Sequence, residues 1–172
     1  STHVEFGGRV TKDYDALTDG QNGNDCMGHG THVAGTIGAA TWGVAKNVRL
    51  HAVRVLPCSG SGMTSHLIMG IDWVAANHQS PAVANISVTA SGTSNAIDSA
   101  IQSMINSGVT TVVAAGNNNM DACNYSPARG ADVIAVGATY NADQKATYSN
   151  FGSCVDVWAP GSLITSVSYA ND

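Results

Sequence analysis

The sequence has 172 residues, enough for one globular domain with a buried core. Apolar residues make up 44% of it and charged residues 11%, a composition that excludes a disordered chain. No apolar run approaches the roughly 20 residues that span a bilayer. The net charge of −5, without a basic cluster, excludes a nucleic-acid-binding surface. We therefore expect one folded domain, residues 1–172, that binds neither membrane nor nucleic acid.

The predicted elements alternate between strands and helices along the chain. A β-rich run, VRLHAVRVL, covers residues 48–56 and precedes a predicted helix over Thr64–His78, with Thr64 as its N-cap. A short apolar strand is predicted over residues 83–88. The next helix is predicted over Asn95–Ser107, with Gly108 at its C-terminal cap. Three further strands are predicted over residues 109–115, 133–136 and 155–158.

The order of these elements favours the α/β class. Residues 109–115, VTTVVAA, form a continuous apolar and β-branched run, which is typical of a strand buried on both faces. Alternating strands and helices at this spacing predict a mostly parallel sheet flanked by helices in a three-layer arrangement. Active sites of such folds lie beyond the carboxyl ends of the strands, so we expect the reactive residues just after strands.

Four cysteines constrain the compartment of the protein. None lies in a CxxC pair, which disfavours a zinc ribbon or a thioredoxin-type site. Four cysteines allow three disulfide connectivities, and two disulfide bonds would place the protein in an oxidising compartment. Four free buried thiols in a cytosolic protein are the alternative. The positions are Cys26, Cys58, Cys123 and Cys154.

The densest chemical signal is the run GHGTHVAG at residues 28–35. A histidine between two glycines at the start of a helix has space on both sides of its ring. The run HGTHVAG resembles the histidine segment of the subtilases, a family of serine peptidases. The resemblance implies that His29 is the general base and that His32 is structural. A metal site formed by the two histidines, or a purely structural His29, are the alternatives.

A second signal, AAGN at residues 114–117, follows the most apolar predicted strand. An asparagine amide at a strand end, beside a glycine, can direct its N–H at a developing oxyanion. The matching AAGN of subtilases supplies this donor, so the resemblance implies that role for Asn117. A turn asparagine within the run Asn117–Asn119 is the alternative.

The resemblance covers the chain from His3 to Ser166, including the turns YSNFG at residues 148–152 and WAPG at residues 158–161. It implies that two edges, GSG at residues 60–62 and the strand at residues 85–88, hold an extended polypeptide substrate by strand-like pairing. The substrate-binding residues implied are Gly60, Ser61, Gly62, Ser87, Val88, Thr89, Ala114, Ala115 and Gly116.

The spacing of the cysteines matches the two disulfide bonds of the proteinase K-like bacterial extracellular branch of the subtilases, so the resemblance pairs Cys26 with Cys58 and Cys123 with Cys154. It also implies a secreted, extracellular protein that is monomeric at full length. No cofactor is expected for catalysis. Calcium is expected as a structural ion, because Asp156 resembles a calcium-ligating aspartate whose partners are the carbonyls of Ala131 and Val133. A surface or hydrogen-bonded aspartate is the alternative for Asp156.

Two parts of the family's catalytic triad are not found in the sequence. The aspartate of the D-[ST]-G turn would fall before Ser1, and the serine of GTSMASP would fall beyond Asp172. We therefore expect a partial catalytic domain, incomplete at both ends and essentially inactive alone. Residues 92–96, GTSNA, imitate the serine motif, but their place at the start of a helix favours Ser94 as a helix N-terminal residue. Asp25 is interpreted as a loop residue.

One departure from the family pattern concerns the substrate pocket. Residues 88–90 are Val-Thr-Ala, where the family usually has Leu-Gly-Gly, and these side chains are expected to narrow the P1 pocket. This departure and the missing serine motivate an alternative function, a non-catalytic peptide-binding module derived from a subtilase. The intact His29 and Asn117, which a pure binder would not need, argue against it. Loss of the flanking segments would expose apolar faces and strand edges, so we expect the isolated chain to aggregate or oligomerise.

Overall fold

The computed structural model describes residues 3–170. They form two compact units, one made of residues 3–70 and 165–170 and the other of residues 71–164. Strands and helices alternate in the chain, and every pairing between the named strands is parallel. The α/β class predicted from the sequence is therefore confirmed.

The bounds of the elements agree closely with the predicted helices and less well with the predicted strands. In chain order the elements are β1 (Val10–Asp15), α1 (His29–Gly38), β2 (Leu50–Arg54), α2 (Thr64–Asn77), β3 (Ala82–Ile86), α3 (Asn95–Asn106), β4 (Val109–Ala114), β5 (Ile134–Thr139) and β6 (Val157–Pro160). Thr64 is the first helical residue of α2 and not its N-cap, a shift of one position. In the part of the chain that the structure describes, no helix is long and apolar enough to cross a membrane.

The strand β1 was not predicted, because its sequence VTKDYD is mostly polar and lacks a clear apolar alternation. Tertiary pairing makes it a strand. It runs parallel to β2, with Val10 opposite Leu50 and Asp15 opposite Arg54, and a register shift lies between Lys12 and Tyr14. The partner strand therefore supplies the order that the local sequence does not specify.

The sequence predicted one parallel sheet, and residues 3–170 contain two. The first is the pair β1–β2 and the second has the order β3–β4–β5–β6. In the second sheet Ile86 of β3 lies opposite Val113 of β4, so these two strands end at the same edge. The segments that follow them are therefore brought together: the Cγ2 of Thr89 lies 3.7 Å from the position that a Cβ on Gly116 would occupy.

The core of the second unit forms where α3 packs against β4. Ile97, Ile101 and Met104 of α3 are at most 2% exposed, as are Val109 and Val113 of β4. Burial alternates along β4, so the expectation of a strand buried on both faces is wrong. In particular, Thr110 is exposed between two buried neighbours.

The core of the first unit is smaller. It contains Phe6, Ala39 and Val167, with Val10, Ala34 and Leu50 packed against them. The α1 helix approaches the segment 165–170 closely at Gly35, where a Cβ would meet the side chains of Ser166 and Val167 at 2.5–2.9 Å. Because Gly35 has no side chain, the helix that begins at His29 can pack tightly against this segment.

Ser94 is the N-cap of α3, as its position in the sequence suggested. Its Oγ accepts a hydrogen bond from the backbone N–H of Ile97 at 3.4 Å. We expect Ser94→Ala to lower the free energy of unfolding by about 1 kcal/mol, the usual effect of losing a cap. Urea denaturation measures this change.

The control is Ser103→Ala on the same helix, where an exposed hydroxyl donates only to the carbonyl of Ser99. This substitution is expected to change the free energy of unfolding by less than about 0.5 kcal/mol. An equal loss of stability in the two variants would contradict the capping role of Ser94.

Candidate active site

His29 is the first residue of α1 and its side chain is exposed. Among residues 3–170 its imidazole has no hydrogen-bond partner, so the ring is available to another group. Gly28, which precedes it, has a φ of 98°, and a Cβ there would meet the ring of Tyr169 at 2.5 Å. Only glycine fits this backbone conformation and this contact. The glycine before the histidine is therefore required by the local fold.

The carboxylate of Asp25 caps the backbone around His29. One oxygen, Oδ1, accepts the N–H groups of Met27 at 2.9 Å and Gly28 at 2.8 Å. The other oxygen, Oδ2, accepts the N–H of Thr31 at 2.7 Å. These bonds lie on both sides of His29 and satisfy amides that the first turn of a helix leaves unpaired. Asp25 lies in a loop, as expected, but its role in capping the start of α1 was not predicted.

The pKa of Asp25 reflects both its burial and these hydrogen bonds. Burial raises the pKa of its carboxyl, but the N–H groups of Gly28, Met27 and Thr31 together hold the pKa below its usual range. A negative charge at a helix N-terminus is also favoured by the helix dipole. An aspartate three residues before the glycine that opens a helix was the sequence signal for this cap.

The loop between β1 and α1 is held by Arg54 and a disulfide bond. Cys26 is bonded to Cys58, with their Cα atoms 5.0 Å apart, and the Arg54 guanidinium lies 3.5 Å from the Cys26 sulfur. Arg54 also pairs with Asp15 at 3.1 Å and with Asp19 at 2.7 Å. Its hydrogen bonds lower the pKa of Asp19 to about 2. The segment that precedes His29 is thus ordered by ionic and covalent contacts.

Asn117 lies in the second unit, immediately after β4 and two buried residues, Ala115 and Gly116. Its side chain is exposed and forms no hydrogen bond with another residue of the described range. Gly116 has a φ of 104°, a conformation that favours glycine. The strand end and the glycine turn therefore present a free amide to solvent.

The loop after β4 runs beside the segment YSNFG, which the sequence had marked as a signature turn. The N–H of Asn119 donates to the carbonyl of Tyr148 at 2.8 Å, and Met120 and Phe151 are joined by a backbone hydrogen bond of 3.0 Å. The disulfide Cys123–Cys154 joins the same two stretches of chain, with Cα atoms 5.2 Å apart. Both disulfide pairings implied by the resemblance are confirmed.

The predicted substrate-binding residues lie in loops, except for Ala114 at the end of β4. Gly60–Gly62 follow β2 in the first unit, and Gly60 has a φ of 80°. In the second unit β3 ends at Ile86, so Ser87–Thr89 lie beyond the strand predicted to extend to residue 88. Ala114 ends β4 and is followed by Ala115 and Gly116. Whether these residues bind substrate stays a prediction.

Asp156 lies just before β6 and is exposed. Its Oδ2 accepts the N–H of Ala135 at 2.7 Å, and its own N–H donates to the carbonyl of Ala135 at 2.9 Å. No group of three or more His, Cys, Asp or Glu side chains able to hold a metal ion occurs within residues 3–170. Asp156 therefore offers a single carboxylate, with one oxygen already hydrogen-bonded.

Comparison with known proteins matches the chain, including the segments around His29 and Asn117, to one group of enzymes. A family model described as the subtilase family matches residues 2–172. An extracellular serine proteinase of Thermus sp. (strain Rt41A) is 57% identical over 170 residues, covering 99% of this chain and 41% of the relative. Alkaline serine exoprotease A of Vibrio alginolyticus is 58% identical over 169 residues, covering 98% of this chain and 32% of the relative.

A solved structure gives the same relationship. The crystal structure of a cold adapted subtilisin-like serine proteinase superposes with a TM-score of 0.95 at 54% identity, covering 98% of this chain and 62% of that chain. This likeness confirms the predicted fold class. The chain spans less than half the length of the two relatives named above.

Because the pKa of Asp25 is lowered, its contribution to the free energy of unfolding should depend on pH. Because the pKa is lower in the folded state than in the unfolded state, the stabilisation is present above the ordinary aspartate pKa of about 3.9 and is lost as pH falls through the folded-state pKa. We expect Asp25→Asn to lower the free energy of unfolding by about 1–2 kcal/mol at neutral pH. The difference from the parent chain should shrink in acid.

Urea denaturation between pH 7 and pH 3 measures this effect. The control is Asp143→Asn, since the exposed carboxylate of Asp143 accepts no hydrogen bond from any residue in the range 3–170. A difference between Asp25→Asn and the parent that stays constant across this pH range would argue against the ionised cap.

Proposed function

This chain belongs to the subtilase family, and from that premise we propose that it contributes the histidine base and the oxyanion asparagine of a secreted serine endopeptidase. The substrate is an extended polypeptide. The relatives named as extracellular or alkaline serine proteases support this reading, as do the two disulfide bonds, which are typical of an oxidising compartment.

His29 is the general base of this proposal. It takes the proton from the hydroxyl of a serine outside this chain as the serine oxygen attacks the carbonyl carbon of the peptide bond. The resulting imidazolium then gives that proton to the leaving amine when the peptide C–N bond breaks. Water hydrolyses the acyl-enzyme by the same route, with His29 again accepting and returning a proton.

The placement of His29 is the observation on which the proposal chiefly rests. A base must reach both the nucleophile and the leaving group, so its ring needs freedom from internal hydrogen bonds and a backbone that does not move. The ring of His29 is exposed and unbonded within residues 3–170, while the three hydrogen bonds to Asp25 fix the backbone on both sides. A structural histidine would not require this combination.

Asn117 is the donor to the oxyanion that forms during attack. Its free amide follows the strand end and the positive-φ glycine, so a negative oxygen can accept from its Nδ2 without displacing an internal partner. Loss of the equivalent donor in a subtilisin is already known to lower kcat by about 10²–10³, and we expect the same range here.

We propose that the 172-residue chain has no peptidase activity alone, because neither a D-[ST]-G aspartate nor a GTSMASP serine occurs within it. A fluorophosphonate probe should therefore leave the purified chain unlabelled, as read by intact mass. Replacing the matching segment of the Thermus relative with this chain should give a chimera that is labelled once, on the serine supplied by the relative.

In that chimera we expect His29→Ala to lower kcat by about 10⁶, the scale known for the histidine of a subtilisin. His66→Ala is the control, because His66 belongs to α2 and is not among the proposed site residues. A labelled isolated chain, with the adduct on Ser94, would contradict the proposal. So would a chimera that keeps its activity without His29.

We also propose Asp156 and the carbonyls of Ala131 and Val133 as part of a structural calcium site. A carboxylate and two carbonyl oxygens are the hard donors that calcium prefers, and the Oδ1 of Asp156 is left over after Oδ2 bonds to Ala135. These oxygens fit calcium in kind but supply only part of the six to eight ligands it needs. Bound calcium would stabilise the segment before β6 and would take no part in the reaction.

Calcium at a concentration about 100 times its Kd should stabilise the folded chain by about 2.7 kcal/mol. We expect Asp156→Asn to remove most of the resulting increase in Tm, measured by thermal melts with calcium and with a chelator. Asp143→Asn, an exposed aspartate elsewhere in the second unit, should retain the increase. Equal calcium effects in both variants would exclude Asp156 as a ligand.

A further inference from the structure

One buried carboxamide holds the loop that presents Asn117. Asn150 is 0% exposed, and its Oδ1 accepts the backbone N–H groups of Asn118 at 2.9 Å and Met120 at 3.1 Å. Its Nδ2 donates to the carbonyl of Ala115 at 2.9 Å. The backbone N–H of Asn150 donates to the carbonyl of Gly116 at 2.9 Å. A single residue therefore bonds to the chain on both sides of Asn117.

The chemistry of these partners requires a carboxamide. The loop presents two donors to Oδ1 and one acceptor to Nδ2, so a side chain with an acceptor on one branch and a donor on the other is needed. Exchanging the oxygen and nitrogen of Asn150 would place donors against donors. An apolar side chain at this position would leave the N–H groups of Asn118 and Met120 without their partner.

Gly116 makes this close contact possible. A Cβ at residue 116 would overlap the Nδ2 of Asn150, so any larger residue would push the carboxamide out of place. The loop is anchored beyond Asn117 as well. The Nζ of Lys145 donates to the side-chain oxygen of Asn119 at 3.0 Å and to the carbonyl of Ser149 at 3.0 Å. Asn117 is thus a free side chain on a backbone that is bonded before and after it.

We propose that Asn150 is a positioning residue for the reaction: it holds the backbone so that the amide of Asn117 is aimed at the oxyanion before substrate arrives. The inference rests on the proposed role of Asn117. Preorganised donors stabilise a transition state because they do not have to reorient during the reaction, and a displacement of about 1 Å can lower the rate about 10²-fold. Because Asn150 is fully buried, its proposed role is exerted through the loop of Asn117 and not by contact with substrate.

The test is a double-mutant cycle in the active chimera with the Thermus relative, using Asn117→Ala, Asn150→Ala and both together. We expect Asn117→Ala to lower kcat by about 10²–10³. We expect Asn150→Ala to lower kcat at least about 10-fold while KM stays within about threefold, since the loss falls on the transition state. In the Asn117→Ala background, Asn150→Ala should lower kcat by less than about threefold.

The control for a merely structural effect is Met104→Ala, which removes a fully buried side chain of α3 from the same unit. It should lower Tm and leave kcat unchanged. If Asn150→Ala behaves like this control, the positioning role is overturned and the function of Asn117 stands. If Asn117→Ala leaves kcat unchanged, the oxyanion assignment itself fails, and the inference fails with it.

A second variant covers the case in which Asn150→Ala does not fold. Asn150→Asp has nearly the same shape and keeps the acceptor for Asn118 and Met120, but its second oxygen faces the carbonyl of Ala115. We expect this variant also to lower kcat at least about 10-fold with little change in KM. A folded Asn150→Asp chimera with the kcat of its parent would overturn the proposal.

Discussion

The backbone N–H groups of two loops would lack partners if Asp25 and Asn150 were apolar. These N–H groups lie in loops or in the first turn of α1, where regular structure supplies no acceptor, so side chains must supply it. Asp25 accepts three such groups, which lie on both sides of His29. Asn150 accepts the N–H groups of Asn118 and Met120, which follow Asn117, and it donates to the carbonyls of Ala115 and Gly116, which precede Asn117. His29 and Asn117 each keep an unbonded side chain within residues 3–170. Polar side chains thus fix the backbone and leave the chemical groups exposed.

Parallel pairing places these loops where chemistry can occur. The carboxyl ends of neighbouring parallel strands lie at one edge of a sheet, and the segments after β3 and β4 therefore meet. In this chain Thr89 lies close to Gly116, with its Cγ2 3.7 Å from the position that a Cβ on Gly116 would occupy, and the exposed amide of Asn117 follows. The strand β4 is well anchored, because alternate residues of it are buried and α3 packs against it. A rigid strand end gives the loop a fixed starting point.

Several aspartates of the chain bind partners within the first unit. Asp15 and Asp19 pair with Arg54, which also contacts the disulfide bond through Cys26. Asp25 follows in the same loop and caps α1. Sequence inspection treated Asp25 only as a loop residue, because a carboxylate that accepts backbone amides has the same local sequence as one that faces water. The partners of these aspartates are close in space but can be distant in sequence: Asp15 and Arg54 are 39 residues apart along the chain.

The sequence by itself determined the α/β class and the bounds of α2 and α3 within about a residue, and its resemblance to the subtilases implied the family and the disulfide pairs. These features depend on local periodicity, on caps such as Ser94 and on motifs whose residues are contiguous. Only the tertiary structure decided that VTKDYD is a strand, that the described sheet is divided in two and that Asp25 and Asn150 hold the site loops. Each of these depends on a partner distant in sequence or on backbone amides. Residue patterns do not encode such contacts, because any acceptor of suitable reach could make them.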